Sequence, residues 1–191
     1  MSRVPAAVGR LRAWRPSHWS AADLLLAVVI AVVALLPRVA DLDAFLTPDE
    51  TRWACRSANF HAALAERDWA RTYQKEHPGV ITMWLGGLAM GIDPEGDYAV
   101  ACRDVPASKL ITAVPRSTLD TIRDRLFAGR LRVAIAVSLA IGLTYLAASR
   151  SLGRGAALLA AALLAFDPFY LAHARVLHLD ALTAALTTLS L

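Results

Sequence analysis

An all-helical, polytopic transmembrane bundle is the fold class that this sequence predicts, and three observations carry the prediction. Hydrophobic residues make up 57% of the 191 residues, above the roughly 45–50% of a soluble domain, and the mean hydropathy is +0.45. The apolar residues lie in blocks, at 24–36, 133–148, 156–166 and from 181 onward, rather than in amphipathic stripes. Arginines stand at the block ends, as they do where helices leave a bilayer. Each block is shorter than the ~20 residues that cross a hydrocarbon core. Flanking residues such as Trp19, Ser20, Leu131, Leu152 and Tyr170 complete the first three. Buried helices of a soluble protein are the alternative reading of blocks so rich in Ala and Leu.

In chain order, residues 1–19 form a basic tail with Arg3, Arg10, Arg12 and Arg15 and no acid before Asp23. The positive-inside rule makes this tail cytoplasmic. The first helix then runs outward from about Ser20 to Leu36 and closes on Pro37 and Arg38. A signal peptide has a similar length and basic flank, but no small-residue cleavage site follows. The segment from about 38 to 130 is a long extracytoplasmic loop. Within it, 52–69 reads as a surface helix with Trp53, Phe60 and Leu64 on one packing side. Residues 80–92, short and with three glycines, read as a helix lying against the membrane surface. From 93 to 124 the chain reads as an irregular loop with a short helix near 117–126. Two helices joined by the basic loop 149–154 follow, that loop inside. A last helix runs inward from about Leu171. The count is about four membrane helices in a multi-pass protein of the cell membrane.

The formal charge of +4 does not point to nucleic acid, because the arginines sit at helix ends and form no stripe interleaved with aromatics. Cys55 and Cys102 lack metal-ligand spacing; two unpaired thiols is their plainer reading, and a pair is the alternative if both face an oxidising exterior. Gly153-x-Gly155 has no third glycine and no preceding strand, so a nucleotide-phosphate loop is not indicated.

Three places could carry chemistry, all on the outer side of this scheme. Asp49 and Glu50 follow the first helix; one carboxylate there suits a general base or an oxygen ligand to a divalent cation. The plain alternative is a solvated pair, or the cap and first-turn acid of a helix. His77-Pro78-Gly79 opens the 80–92 segment, and a simple helix-starting turn is its plain reading. Arg175 and Asp180 flank the start of the last helix, with His173 and His178 alongside. Ionisable groups beside membrane segments are functional candidates. On an unbroken helix Arg175 and Asp180 stand ~140° apart, so a direct pair requires a bend. His173 and Asp180 would share a face.

The order is a basic tail, a helix closing on Pro37 and Arg38, Asp49-Glu50, His77-Pro78 before an apolar segment, and Arg130-Leu131 opening a helix. Phe166-Asp167-Pro168-Phe169 and Ala174-Arg175-x-x-x-x-Asp180 complete it. This set resembles the N-terminal portion of the GT-C glycosyltransferases of the protein O-mannosyltransferase and aminoarabinose-transferase type, glycosyltransferase family 39, over roughly residues 21–191. The resemblance implies a multi-pass enzyme that takes a sugar from a polyprenyl-phosphate donor and passes it, with inversion, to a hydroxyl on the outer face. The acceptor class (protein, lipid or cell-wall polymer) stays open. Asp49 matches the family's proposed general base and Glu50 its second acid. His77 and Pro78 match a His-Pro-Pro-like element, with Gly79 departing from it. Arg175 and Asp180 match an Arg and Asp at the fourth helix. The departing phosphate needs charge stabilisation rather than a proton, which Arg175 or Arg38 would supply. The family continues for many more helices, so residues 20–191 are expected to be the N-terminal part of a longer enzyme and inactive alone. A non-catalytic membrane subunit binding a partner through its outer loop is the competing reading, and a signal-anchored exported protein a third.

Overall fold

A computed structural model describes residues 19–76, 79–90 and 116–190. The basic tail, His77 and Pro78, Gly91, Cys102 and residues 93–115 of the expected loop lie outside the described residues, so the expectations placed on them are left there. The described residues form helices and no strand: α1 (Ala21–Val39), α2 (Pro48–Ala65), a short 3-10 turn (Ala70–Thr72), α3 (Val80–Met90), α4 (Arg116–Ser151), α5 (Arg154–Phe166), α6 (Pro168–His173) and α7 (Asp180–Ser190). Among the described residues two stretches, Ala21–Val39 and Asp124–Ser151, are long and apolar enough to cross a membrane.

Local chemistry sets several of these boundaries. Ser20 and Asp23 form a reciprocal capping box at the start of α1, and Thr47 and Glu50 do the same for α2, with Pro48 at its first position. Each box satisfies backbone donors that a helix start leaves open. Asp167 caps α6 by accepting from the Tyr170 N–H at 2.6 Å.

α4 departs from the expected loop and separate helix. It runs unbroken through Arg130. At 1.5 Å per residue its 36 residues reach about 54 Å, well beyond a ~30 Å hydrocarbon core. Arg116, Asp120, Arg123 and Asp124 recur at helical spacing with Leu119, Ile122 and Leu126, a pattern that supports helix without a membrane. α4 is also the hub of the bundle, with α1, α3, α5 and α7 packed around it. α2 is likewise more deeply placed than a surface helix. Trp53, Ala54, Cys55, Phe60 and Ala63 are buried, and Trp53 and Phe60 belong to the packing side that the sequence indicated. Cys55 is disulfide-bonded, which removes the plainer reading of two unpaired thiols.

In α1 and α5 the packing inverts that of a soluble helix. α1 buries Ala27, Ala31 and Ala34 and exposes Leu25, Val28, Val32 and Leu36. α5 buries Ala157, Ala161 and Ala165 and exposes Leu159, Leu163 and Phe166. Small residues three or four apart let helix backbones approach, as in membrane helix pairs. At Gly142 α4 lies against the α1 backbone: a Cβ there would lie 2.6 Å from the Ala27 carbonyl oxygen of α1. Gly142→Ala is expected to lower stability by about 1–3 kcal/mol through overpacking. Gly155→Ala, with nothing within 4 Å of its added Cβ, is expected to be near neutral. Thermal midpoints of the two variants in detergent micelles check this; equal midpoints would contradict the close α1–α4 contact.

The two ends of the bundle are pinned differently. Where α1 begins, Arg154 pairs with Asp23 at 2.8 Å, Arg150 lies over the Trp19 ring at 3.7 Å, and Trp19 Nε1 donates to the Leu146 carbonyl at 3.2 Å. Where α1 ends, the guanidinium groups of Arg38, Arg130 and Arg175 gather, and the candidate site lies there.

Candidate functional site

The centre of this end is a buried ion pair between α2 and α4. The Glu50 side chain is 0% exposed and that of Arg130 3%. Arg130 Nε donates to Glu50 Oε1 and Nη2 to Oε2, each at 2.6 Å, a bidentate geometry. The same guanidinium donates to the carbonyls of Leu42 and Phe45 in the α1–α2 connection. The Glu50 carboxylate also accepts from the Leu177 N–H at 2.9 Å, and from the Thr47 N–H and hydroxyl at 3.1 and 3.0 Å. Burial pushes the Glu50 carboxyl up, but the hydrogen bonds from Arg130 and Leu177, the Arg130 charge and Thr47 together hold it below the ordinary glutamate value.

Glu50 therefore ties four segments at one point. Asp49, its neighbour, faces the other way. Its side chain is 59% exposed, accepts from Arg52 at 3.0 Å, and lines an open cavity of about 450 Å³. One wall is the α2 face Asp49, Arg52, Trp53 and Arg56. The other is the turn before α7, with His178, Leu179 and Asp180, and Lys75 closes the side. Arg56 lies over the Trp53 ring at 4.8 Å and forms no ion pair among the described residues. Lys75 pairs with Glu76 at 2.9 Å. His178 Nδ1 meets Asp180 Oδ2 at 3.2 Å, and its ring stands edge-on to Trp53 at 5.9 Å. A second groove, about 210 Å³ and largely apolar, shares Leu179 with this cavity and runs between Gly79–Thr82 and Leu182–Leu186.

Of the residues that the sequence singled out, the structure brings Asp49, His178 and Asp180 to one cavity. Glu50 lies sealed beneath it, so the two adjacent acids face different partners. Among the described residues no group of three or more His, Cys, Asp or Glu is placed to hold a metal ion. Arg38, fully buried, donates to the carbonyls of Ala34 and Ala165 at 2.6 and 2.9 Å and of Leu164 at 3.2 Å. It thereby caps the C-terminus of α5, where a cation is favoured. Arg175 reaches back to the carbonyls of Ala40 and Asp41 just past α1. Neither arginine lines the cavity, and Arg175 forms no ion pair with Asp180.

The expected single helix from about Leu171 is in fact broken. α6 ends at His173 and α7 begins at Asp180. The break sends Arg175 toward α1 and Asp180 into the cavity, and it parts His173 from Asp180. His173 Nδ1 instead meets the Phe169 carbonyl at 2.9 Å.

Arg52, Trp53, Arg56 and Lys75 were not among the sequence candidates, whereas His178 was, alongside Arg175 and Asp180. For α2 the signal was present: positions 49, 52, 53 and 56 follow the i, i+3, i+4, i+7 rule of one helix face. It was masked by starting that helix at 52 and by weighing Trp53 only as a packing residue. Lys75 carried no such signal, since its placement depends on a turn.

The chain matches no protein-family model, no curated protein and no solved structure.

Proposed function

We propose that this chain forms the N-terminal part of a membrane glycosyltransferase. It passes a sugar from a polyprenyl-phosphate donor to a hydroxyl acceptor, with inversion, on the extracytoplasmic face, and Asp49 is the general base. The observation that carries the reading is the cavity itself. An exposed carboxylate, Asp49, opens into about 450 Å³ beside Arg52, Arg56 and Lys75, and an apolar groove begins at the shared Leu179.

An amphiphile with an anionic head suits that arrangement. The phosphate needs cations, the carrier chain needs apolar surface, and the attacking alcohol needs a proton acceptor. Arg56 is the cation best suited to the phosphate, because Arg38 and Arg175 are held by backbone carbonyls. The role of charge stabilisation thus moves from Arg175 to Arg56. The resemblance to family 39 supports the reading on the residues that carry it, with Arg130 now inside a helix rather than opening one.

The same reading places α1 and α4 across the bilayer and returns α5 outward, in a multi-pass domain whose N-terminus is cytoplasmic. The exposed Leu and Val faces of α1 and α5 then meet lipid. Arg150 and Arg154 lie on the cytoplasmic side, as the positive-inside rule requires. The disulfide at Cys55 falls on the outer side, where such bonds persist. Alkaline phosphatase fused after Gly153 is expected to be inactive, and fused after Asp167 active. The reverse result would invert the topology and put the cavity in the cytoplasm. The function is tested by transfer from polyprenyl-phosphate mannose, glucose or aminoarabinose to a hydroxyl acceptor by the complete enzyme in membranes, and by its dependence on Asp49.

A further inference from the structure

We propose that His178 donates a hydrogen bond from Nε2 to the phosphate of the lipid-linked sugar donor, from the wall opposite Arg56. The inference deepens the glycosyltransferase reading and rests on it.

The position is built by packing. The Leu177 N–H is fixed on the buried Glu50 carboxylate at 2.9 Å, so the next residue leaves an anchored turn. Trp53, itself buried, meets the His178 ring edge-on with the ring centroids 5.9 Å apart. The Arg56 guanidinium lies over the same indole at 4.8 Å. Gly79 also packs on this ring, since a Cβ there would lie 2.1 Å from it. One wedged indole thus sets both side chains.

The Asp180 N–H donates to His178 Nδ1 at 3.4 Å, so the neutral ring carries its hydrogen on Nε2. Protonation adds a hydrogen at Nδ1, where Asp180 Oδ2 stands 3.2 Å away, and leaves the Nε2 hydrogen in place. Nε2 is therefore a donor in either charge state. The His178 side chain is 22% exposed, and no acceptor among the described residues takes this N–H. A polar hydrogen on a mostly buried ring calls for a partner, and the ring lines the cavity.

An anionic oxygen is the partner that fits. Asp49 is engaged by Arg52 at 3.0 Å, whereas Arg56 has no ion pair among the described residues. The cavity thus offers an unmatched cation and an unmatched N–H, which together complement a phosphate. The apolar groove begins at Leu179, the residue after His178, so a carrier chain lying there brings its phosphate to this ring. In the transfer step Asp49 takes the proton of the acceptor hydroxyl, and the oxygen's electron pair forms the new bond to the sugar carbon. The carbon–oxygen bond to phosphate breaks with its pair leaving on the phosphate, which passes from monoanion to dianion. A donor on that phosphate binds more strongly in the transition state than in the ground state.

The probe is dodecyl phosphate added to the chain in nonionic micelles, with dodecanol as the uncharged control. ¹⁵N-histidine NMR is expected to show the neutral His178 ring with hydrogen on Nε2, and dodecyl phosphate alone to shift that resonance. His178→Ala is expected to weaken dodecyl phosphate binding at least about 10-fold, the size of one hydrogen bond to a charged group. His178→Gln keeps an amide donor and is expected to recover most of the affinity. His178→Phe keeps only a ring against Trp53 and is expected to recover none. Unchanged thermal midpoints show that the variants are folded. In the complete enzyme His178→Ala is expected to lower kcat about 100-fold, the lower end for loss of a donor to a developing anion, with a smaller rise in KM. Hydrogen on Nδ1, absent dodecyl phosphate binding, wild-type affinity in His178→Ala, or rescue by His178→Phe overturns the proposal alone. A complete wild-type enzyme that transfers no sugar, while dodecyl phosphate still binds through His178, overturns the glycosyltransferase reading and leaves the phosphate contact standing.

Discussion

Glu50→Ala is expected to destabilise the bundle by about 3–5 kcal/mol, the cost of leaving a buried partner charge uncompensated. The guanidinium left behind is that of Arg130, whose side chain is 3% exposed. The loss also frees the Leu177 N–H and the Thr47 cap. Arg130→Ala is expected to cost a similar amount, since the carboxylate is then the orphan. Glu50→Gln retains the shape but turns an amide NH₂ toward donors on Arg130 or Leu177, so it should recover little. The pair Glu50→Leu with Arg130→Met is expected to be milder than either single loss, because no buried charge remains. Reversible unfolding in mixed micelles measures all four, and single losses below about 1 kcal/mol would show that this ion pair does not organise the site.

The same group sets an acid limit. Its folded-state pKa is depressed, so its stabilisation is fully present above the ordinary glutamate value of about 4.3. It is lost as pH falls through the folded value. Unfolding titrations are therefore expected to steepen below about pH 4 in the wild type and to flatten in the Leu–Met double variant.

Asp49→Asn is expected to lower sugar transfer by the complete enzyme about 10²–10⁴-fold, the range for removal of a positioned general base. The asparagine is isosteric but has no basic oxygen. Asp49 lies on the exposed face of α2, with Arg52 as its contact, so the change should leave the thermal midpoint and membrane insertion unaltered. That contrast with Glu50 is the useful one. Two adjacent acids are expected to differ cleanly, one in turnover and the other in stability. Donor binding should persist in Asp49→Asn and weaken in Arg56→Ala, which removes the cation assigned to the phosphate. Near-normal transfer by Asp49→Asn would remove the general-base assignment and favour a non-catalytic membrane subunit.

Much of the architecture is legible in the residues alone, for physical reasons that are local. Apolar blocks bounded by arginines specify helices. Ser20 with Asp23 and Thr47-Pro48-Asp49-Glu50 specify where α1 and α2 begin, since capping needs only residues three apart. The same locality made Asp49 visible as a candidate, and the spacing of 49, 52, 53 and 56 contained the rest of that wall. The extent of α4 was less visible, because its polar first turns look like loop once a membrane is assumed to end at Arg130.

What only the tertiary structure decided is where the arginines go and where the last helix breaks. Arg38, Arg130 and Arg175 look alike in sequence, yet one caps α5, one pairs with Glu50 and one holds the end of α1. Their choice depends on which carbonyls and carboxylates the packed helices bring within reach. The segment Ala174-Arg175-Val176-Leu177-His178-Leu179 contains neither Gly nor Pro, and helix propensities among its residues differ by only about 0.7 kcal/mol or less. A hydrogen bond to a charged group contributes about 1.5–3 kcal/mol, and Glu50, 127 positions away, accepts one from the Leu177 N–H. That bond outweighs the local preference for helix, and it places His178 and Asp180 across the cavity from Asp49.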